Sequence, residues 1–464
     1  MTGAALPLPA QDSLHTLADV TPHGEVIARL RSRANPKATY AAYLPSRYTS
    51  DRRWPLLILL DPRGRAAIPL ELFREPAERL GYVVLSSFDS QSDGLRAPND
   101  MALDAMLEDA QRYLAVDTKR IYLVGFSGTA RFAWDVSEQF PGALAGILGF
   151  GAGTPGDKRW LAQHVRGAPF DYYGSVGNLD PNYAEMRQLE HDLTDAAIPF
   201  RIEGFEGPHT WPPAALCRRA LEWMELRAMR RGLRTVDAPW IDSLARARRS
   251  EFPAAGPTAT VAAWRARRAW LADFGGSPDS AQVAAEVSRL YADPAVTRTL
   301  QREEALQEKD LAWMRGYFSF LTDLKRADPP PGVGDGKRRA GVDEMVRMAA
   351  QTEDSLGAIA GRRGIARLLV YATFYEFRDY LAGQQWERAS TLLHVAQAAA
   401  PTDGAVCFAL ARVEAQRGKT RDALAQLECA EKAGVLTRDL LQNPLLAPLA
   451  REERFTAIGA RISR

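Results

Sequence analysis

The chain has 464 residues but only three cysteines, Cys217, Cys407 and Cys429. They are too few and too irregularly spaced for a disulfide framework or a zinc site. Each is expected to fill a small core position. Cys407 and Cys429 fall on two neighbouring predicted helices, so one bridge between them stays open if the compartment is oxidising. Long apolar runs are also missing. None approaches the roughly 18 to 20 residues that cross a bilayer, so no membrane span is expected. Nor is there an excess of either charge: 59 Lys and Arg against 57 Asp and Glu leave a formal +2. Such a balance offers no general attraction to nucleic acid or to an anionic membrane.

The N-terminus lacks the basic region and the long apolar core of a working signal peptide, which taken literally implies the cytoplasm. Yet residues Ala4 to Gln11 resemble the end of such a signal with its small-residue cleavage site. That reading places the mature protein in the periplasm or outside the cell, and an unstructured leader is its alternative.

At this length two or three domains are expected. Residues 1–37 read as a leader and first strand region. From 38 to 237, apolar runs alternate with helical segments, the pattern of a mostly parallel, doubly wound α/β sheet. Strands are expected at 38–44, 54–60, 82–87, 121–126, 145–150, 170–176 and 200–204. Helices are expected at 71–80, 99–114, 130–140, 182–197 and 213–231. After residue 238 strand signals stop, and Ala, Arg, Leu and Glu recur at helical spacing. Residues 238–327 then form a helical connector. Residues 328–336, Asp-Pro-Pro-Pro-Gly-Val-Gly-Asp-Gly, read as a loop, because prolines lack the donor and glycines raise the entropy cost. Residues 337–464 form a further all-α region. There Phe374 and Phe408, Ala389 and Ala423, Leu393 and Leu427, and Ala396 and Ala430 each recur 34 residues apart, the tetratricopeptide period. Unrelated helical hairpins of similar length are the alternative. Such repeats offer a groove for a protein partner.

The stretch Ile121-Tyr122-Leu123-Val124-Gly125-Phe126-Ser127-Gly128-Thr129-Ala130-Arg131 carries the chemistry. An apolar strand runs into Gly-x-Ser-Gly and then into helix formers, which is how a nucleophilic serine is mounted on a strained turn. Thr129 departs from the usual last glycine, and its branched side chain is expected to crowd the helix against the strand. A serine hydroxyl needs a histidine to take its proton, and that histidine needs a carboxylate to orient it. Of six histidines, His15 and His23 lie in the leader region, while His164, His191 and His394 sit in predicted helical segments. His209 alone follows a strand in a loop, held off regular structure by Gly207 and Pro208, at the carboxyl edge where open α/β sheets place their sites. The acid is sought after the strand at 170–176. There Asp180 falls just past the sheet edge, although an Asp before a Pro also caps helices. Asp171 lies too early, within the strand. For an oxyanion, the Gly128 amide provides one donor. The loop after Leu60 provides the second, from Arg63 because Pro62 has no amide hydrogen, with Gly64 next. The usual His-Gly pair is missing from that loop.

With these pieces in place, residues 38 to about 235 resemble the α/β-hydrolase superfamily, in particular bacterial esterases of the polyhydroxybutyrate-depolymerase and feruloyl-esterase type. Four stretches carry the resemblance: 54–65, 125–131, 177–183, and 207–212 followed by Ala220-Leu221-Glu222-Trp223. The C-terminal part is similar to tetratricopeptide repeats. The resemblance implies a serine hydrolase that cleaves small-molecule carboxylic esters, with no cofactor and no metal, and it favours export. Two other functions stay open: a degenerate hydrolase that only binds, and a serine peptidase with the same triad.

Overall fold

The computed structural model describes residues 17, 23–154, 161, 170–254 and 260–462. The segment 4–11, His15 and His164 lie outside the described residues.

Runs of Val, Leu, Ile and Tyr with few charges form the central strands, buried on both faces, while the edge strands at 26–31 and 200–205 carry charges and stay partly exposed. Eight strands result: β1 Val26–Arg31, β2 Thr39–Tyr43, β3 Trp54–Leu60, β4 Val83–Ser87, β5 Val116–Phe126, β6 Gly146–Phe150, β7 Asp171–Gly177 and β8 Phe200–Phe205. They form one sheet in the order β1-β2-β4-β3-β5-β6-β7-β8. β2 runs antiparallel to β1 and β4, and the remaining pairs are parallel. This is the α/β-hydrolase fold. Helices α1 Ala67–Leu80, α2 Ala97–Tyr113, α3 Gly128–Gln139, α4 Tyr183–Asp195 and α5 Ala214–Arg230 alternate with the later strands. Leu57, Leu59, Val84, Tyr122, Val124 and Leu148 pack beneath Phe73, Leu221 and Met224 in one cluster. At about 25 cal/mol per Å2 of buried apolar surface, such a layer supplies most of the stabilisation.

One local expectation fails. The strand expected from residue 121 starts earlier, and the polar, turn-like Asp117-Thr118-Lys119-Arg120 belongs to β5, because Trp54 pairs with Val116 across an irregular register before Leu56 meets Ile121. Pairing with β3 overrides turn propensity.

The chain divides into two compact units. The first holds the sheet and comprises residues 1–177, 185–254 and 263–287. It holds α6 Ala238–Ser250, which follows α5, and most of α7 Thr260–Phe274 and α8 Ser280–Tyr291. Leu226, Leu244, Trp270, Phe274 and Val283 form their shared core.

The second unit comprises residues 178–184, 255–262 and 288–464. It is built on the long helix α9 Pro294–Arg326, followed by α10 Val333–Ala340, α11 Val342–Ala349 and α12 Ser355–Val370. A π-helical turn, Tyr371–Tyr375, leads to α13 Glu376–Ala382, α14 Trp386–Ala399, α15 Gly404–Gln416 and α16 Thr420–Lys432. The loop expected over 328–336 is therefore too long, since α10 begins at Val333. Gly336 is helical because α10 packs so closely that a Cβ there would fall 2.6 Å from Val395 Cγ2. A close crossing outweighs the entropic cost of glycine in a helix.

The 34-residue recurrence has a structural counterpart. Ala389, Leu393 and Ala396 on α14 and Ala423, Leu427 and Ala430 on α16 are all fully buried. Phe374, by contrast, is 49% exposed whereas Phe408 is buried. Cys407 and Cys429 are bridged, with Cα atoms 5.9 Å apart, and Cys217 is a buried free thiol. Among the described residues no helix is long and apolar enough to cross a membrane.

Candidate active site

β5 delivers Ser127 to its carboxyl end, where φ 57° and ψ −127° break the strand before α3 begins at Gly128. A non-glycine residue in such a conformation stores on the order of 1–3 kcal/mol and persists only where its surroundings enforce it. Here the Ser127 amide donates to Phe150 O at 2.8 Å, and Ser127 O accepts from the Ala130 amide at 3.0 Å. Gly125 is obligatory, because a Cβ would lie 2.3 Å from Thr129 O. Thr129 does not crowd the turn as expected. Fully buried, its hydroxyl lies 2.6 Å from Leu60 O and accepts from the Phe126 amide at 3.0 Å, joining the elbow to the end of β3.

His209 lies four residues past β8, with its Nε2 2.9 Å from Ser127 Oγ. The two residues are 82 positions apart in sequence, and the parallel sheet brings their strand ends to the same edge. The imidazole rests on Phe126, ring centroids 4.6 Å apart, and Phe126 in turn meets Trp211 at 5.5 Å. β7 and β8 are adjacent through the pairs Val176 with Gly204 and Gly177 with Phe205. Beyond them the chains touch: a Cβ on Gly177 would fall 2.3 Å from Gly207 O. Only glycine fits there, and it closes the approach three residues before Asp180 and two before His209.

Asp180 is fully buried in the loop after β7, and its Oδ1 accepts from the Asn182 amide at 2.8 Å. That bond starts α4 as an Asx turn does. Asp171, set aside as an acid because of its place in the strand, pairs with Arg227 at 2.7 Å and Arg231 at 3.1 Å.

The oxyanion expectation is corrected in part. Gly128 begins α3, where the amide at a helix N-terminus faces outward and favours negative charge. The Arg63 amide, however, donates to Asp61 Oδ1 at 2.9 Å, and the Gly64 amide donates to Asp61 O at 3.1 Å. The carboxylate that follows β3 captures the amide that was expected to face an oxyanion.

Asp61 is the residue that sequence reasoning missed. Completely buried, it also accepts from the Arg65 amide at 3.2 Å, from Arg65 Nε and Nη2 at 3.0 Å each, and from Trp211 Nε1 at 2.8 Å. Burial pushes its carboxyl upward, but the bonds from Arg65, Trp211 and the two amides outweigh it and hold the group below the ordinary carboxylate range. Trp211 stands two residues after His209, so Asp61 ties the β3 loop to the histidine loop. An Asp-Pro pair closing an apolar strand, with arginines at the next odd positions, was the available signal.

No family model matches the chain, and no curated protein matches it. Solved structures similar to it include a thermostable esterase, at 16% identity over 42% of this chain and 61% of that one, with a TM-score of 0.34. A fluorophosphonate-binding serine hydrolase of Staphylococcus aureus shares 14% identity over 44% of this chain and 99% of its own, with a TM-score of 0.35. An S-formylglutathione hydrolase of Agrobacterium tumefaciens shares 13% over 46% and 99%, with a TM-score of 0.36. The fold assignment itself rests on the sheet order and strand directions described above.

Proposed function

We propose that the protein is a serine hydrolase that cleaves small-molecule carboxylic esters through an acyl-enzyme. Ser127 attacks the carbonyl carbon while His209 accepts its proton through Nε2. The Gly128 amide stabilises the oxyanion, and collapse expels the alcohol, which takes the proton back from His209. Water then repeats the sequence to release the acid. Asp180 orients His209 and stabilises its cation. The observation that carries this reading is the 2.9 Å contact between His209 Nε2 and a serine held at φ 57° on a strand-to-helix turn. Ser127→Ala should abolish turnover of an activated short-chain ester by a factor on the order of 10^4 or more while leaving the fold intact. Full activity in that variant refutes the proposal.

A second reading, a hydrolase-like protein that only binds, is favoured by the Arg63 amide being engaged by Asp61. Labelling of Ser127 by a fluorophosphonate separates the two, because only an activated serine reacts. A peptidase on the same scaffold would show amide turnover comparable to ester turnover. On this reading the helices 386–432 act as tetratricopeptide-like repeats that hold a protein partner, and the protein works in the periplasm or outside the cell. The Cys407–Cys429 bridge supports that location, since such bonds persist where the surroundings are oxidising.

A further inference from the structure

The loop that carries Asp180 belongs to the second, helical unit, which includes residues 178–184. Three side chains of that unit hold its backbone. Arg363 Nη1 donates to Asn178 O at 3.0 Å, Arg367 Nε to Pro181 O at 3.1 Å, and Gln307 Nε2 to Ala184 O at 2.8 Å. Asp310, fully buried on α9, binds the two guanidinium groups in turn, Arg363 Nε at 2.7 Å and Arg367 Nη2 at 2.5 Å. The Arg363 guanidinium also lies over the Tyr183 ring, 4.1 Å from its centroid. Arg363 and Arg367 are one turn apart on α12 and almost wholly buried.

Two guanidinium groups share one carboxylate here, so one positive charge is left to the loop carbonyls. Burying unbalanced charge is expensive, and a well-packed apolar cluster would hold two helices together at lower cost. What an apolar cluster cannot do is fix carbonyl positions. Contacts at residues 178, 181 and 184 bracket Asp180 from both sides.

We propose that Arg363 and Arg367 are positioning residues that set the Asp180 loop. The effect on turnover rests on the triad proposed above.

The test uses the full-length protein with Arg363→Lys, Arg367→Lys and the pair. Lysine keeps the charge but cannot span Asp310 and a carbonyl together. Amide exchange at Asn182 and Tyr183, whose N–H groups bond Asp180, should quicken by on the order of tenfold in the pair. Per fluorophosphonate-titrated site, kcat should fall by on the order of tenfold, with KM within about threefold. The acidic limb of the kcat/KM profile should move to lower pH, because an imidazolium that loses its carboxylate is a stronger acid. If the pair misfolds, Gln307→Ala, which frees only the 184 end, should show the same changes at smaller size.

Exchange and acidic limb both unchanged, with only the unfolding midpoint lowered, would overturn the inference. Faster exchange in a protein whose wild type turns over no ester would uphold the loop anchoring and remove the triad reading instead.

Discussion

Replacing Asp61 tests the most connected residue of the candidate site. Asp61→Ala removes the acceptor of five bonds, but they do not weigh equally. The Arg65 side chain is 44% exposed, so its ion pair is screened and water can replace it. The amides of Arg63 and Arg65 lie in a half-exposed loop and can also turn to solvent. Trp211 Nε1 cannot, since its residue is buried at 7% exposure beneath the histidine loop. One buried donor stripped of a charged acceptor, plus partial loss of two amide bonds, sums to about 2–4 kcal/mol. Asp61→Asn keeps the shape and one carbonyl acceptor, and should cost about half of that. The pH dependence has a definite sign. The folded-state carboxyl lies below its ordinary value, so its contribution is complete above the unfolded pKa, near 4, and is lost as pH falls through the lower folded value. Denaturant unfolding of wild type and Asp61→Asn at several pH values measures this directly. The stability gap should be full at pH 7 and shrink as pH falls below about 4. A gap under about 0.5 kcal/mol at pH 7, or one that widens on acidification, refutes the assignment of Asp61 as the anchor of both loops.

Thr129→Val keeps the volume but removes the hydroxyl between Leu60 O and the Phe126 amide, and should cost about 1–2 kcal/mol by chemical denaturation. Gly177→Ala forces a Cβ against the Gly207 carbonyl and should lower ester turnover on the order of 10–100-fold with little change in KM, read by steady-state kinetics. Cys407→Ser opens a bridge that closes a 22-residue separation and should cost about 3 kcal/mol. Mass spectrometry of protein from an exported source should find that bond intact, and a free Cys407 thiol there argues against an oxidising location.

Much of the sheet was legible because local pattern and tertiary role coincide there. The expected strands over 54–60, 121–126 and 145–150 nearly match β3, the end of β5 and β6, since double burial demands continuous apolar runs, and the half-buried β8 was legible from its alternation of Phe200, Ile202 and Gly204 with Arg201 and Glu203. Ser127 was readable for a similar reason: strand, small residues and helix in immediate succession admit few other turns. The burial of Ala389, Leu393, Ala396 and their counterparts 34 residues later was likewise anticipated by periodicity.

What the amino-acid order by itself determined was therefore local: which segments alternate between strand and helix, where the serine turn falls, and which histidine sits in a loop. Tertiary structure alone decided how separate segments meet. It set the 2.9 Å approach of His209 to Ser127, the capture of the Arg63 amide by Asp61, the Trp211 bond that joins two loops, and the membership of residues 178–184 in the helical unit. The physical reason is range. Propensity and hydrophobic period act over a few residues, whereas a carboxylate chooses its donors among all groups that packing brings within about 3 Å, however distant in sequence.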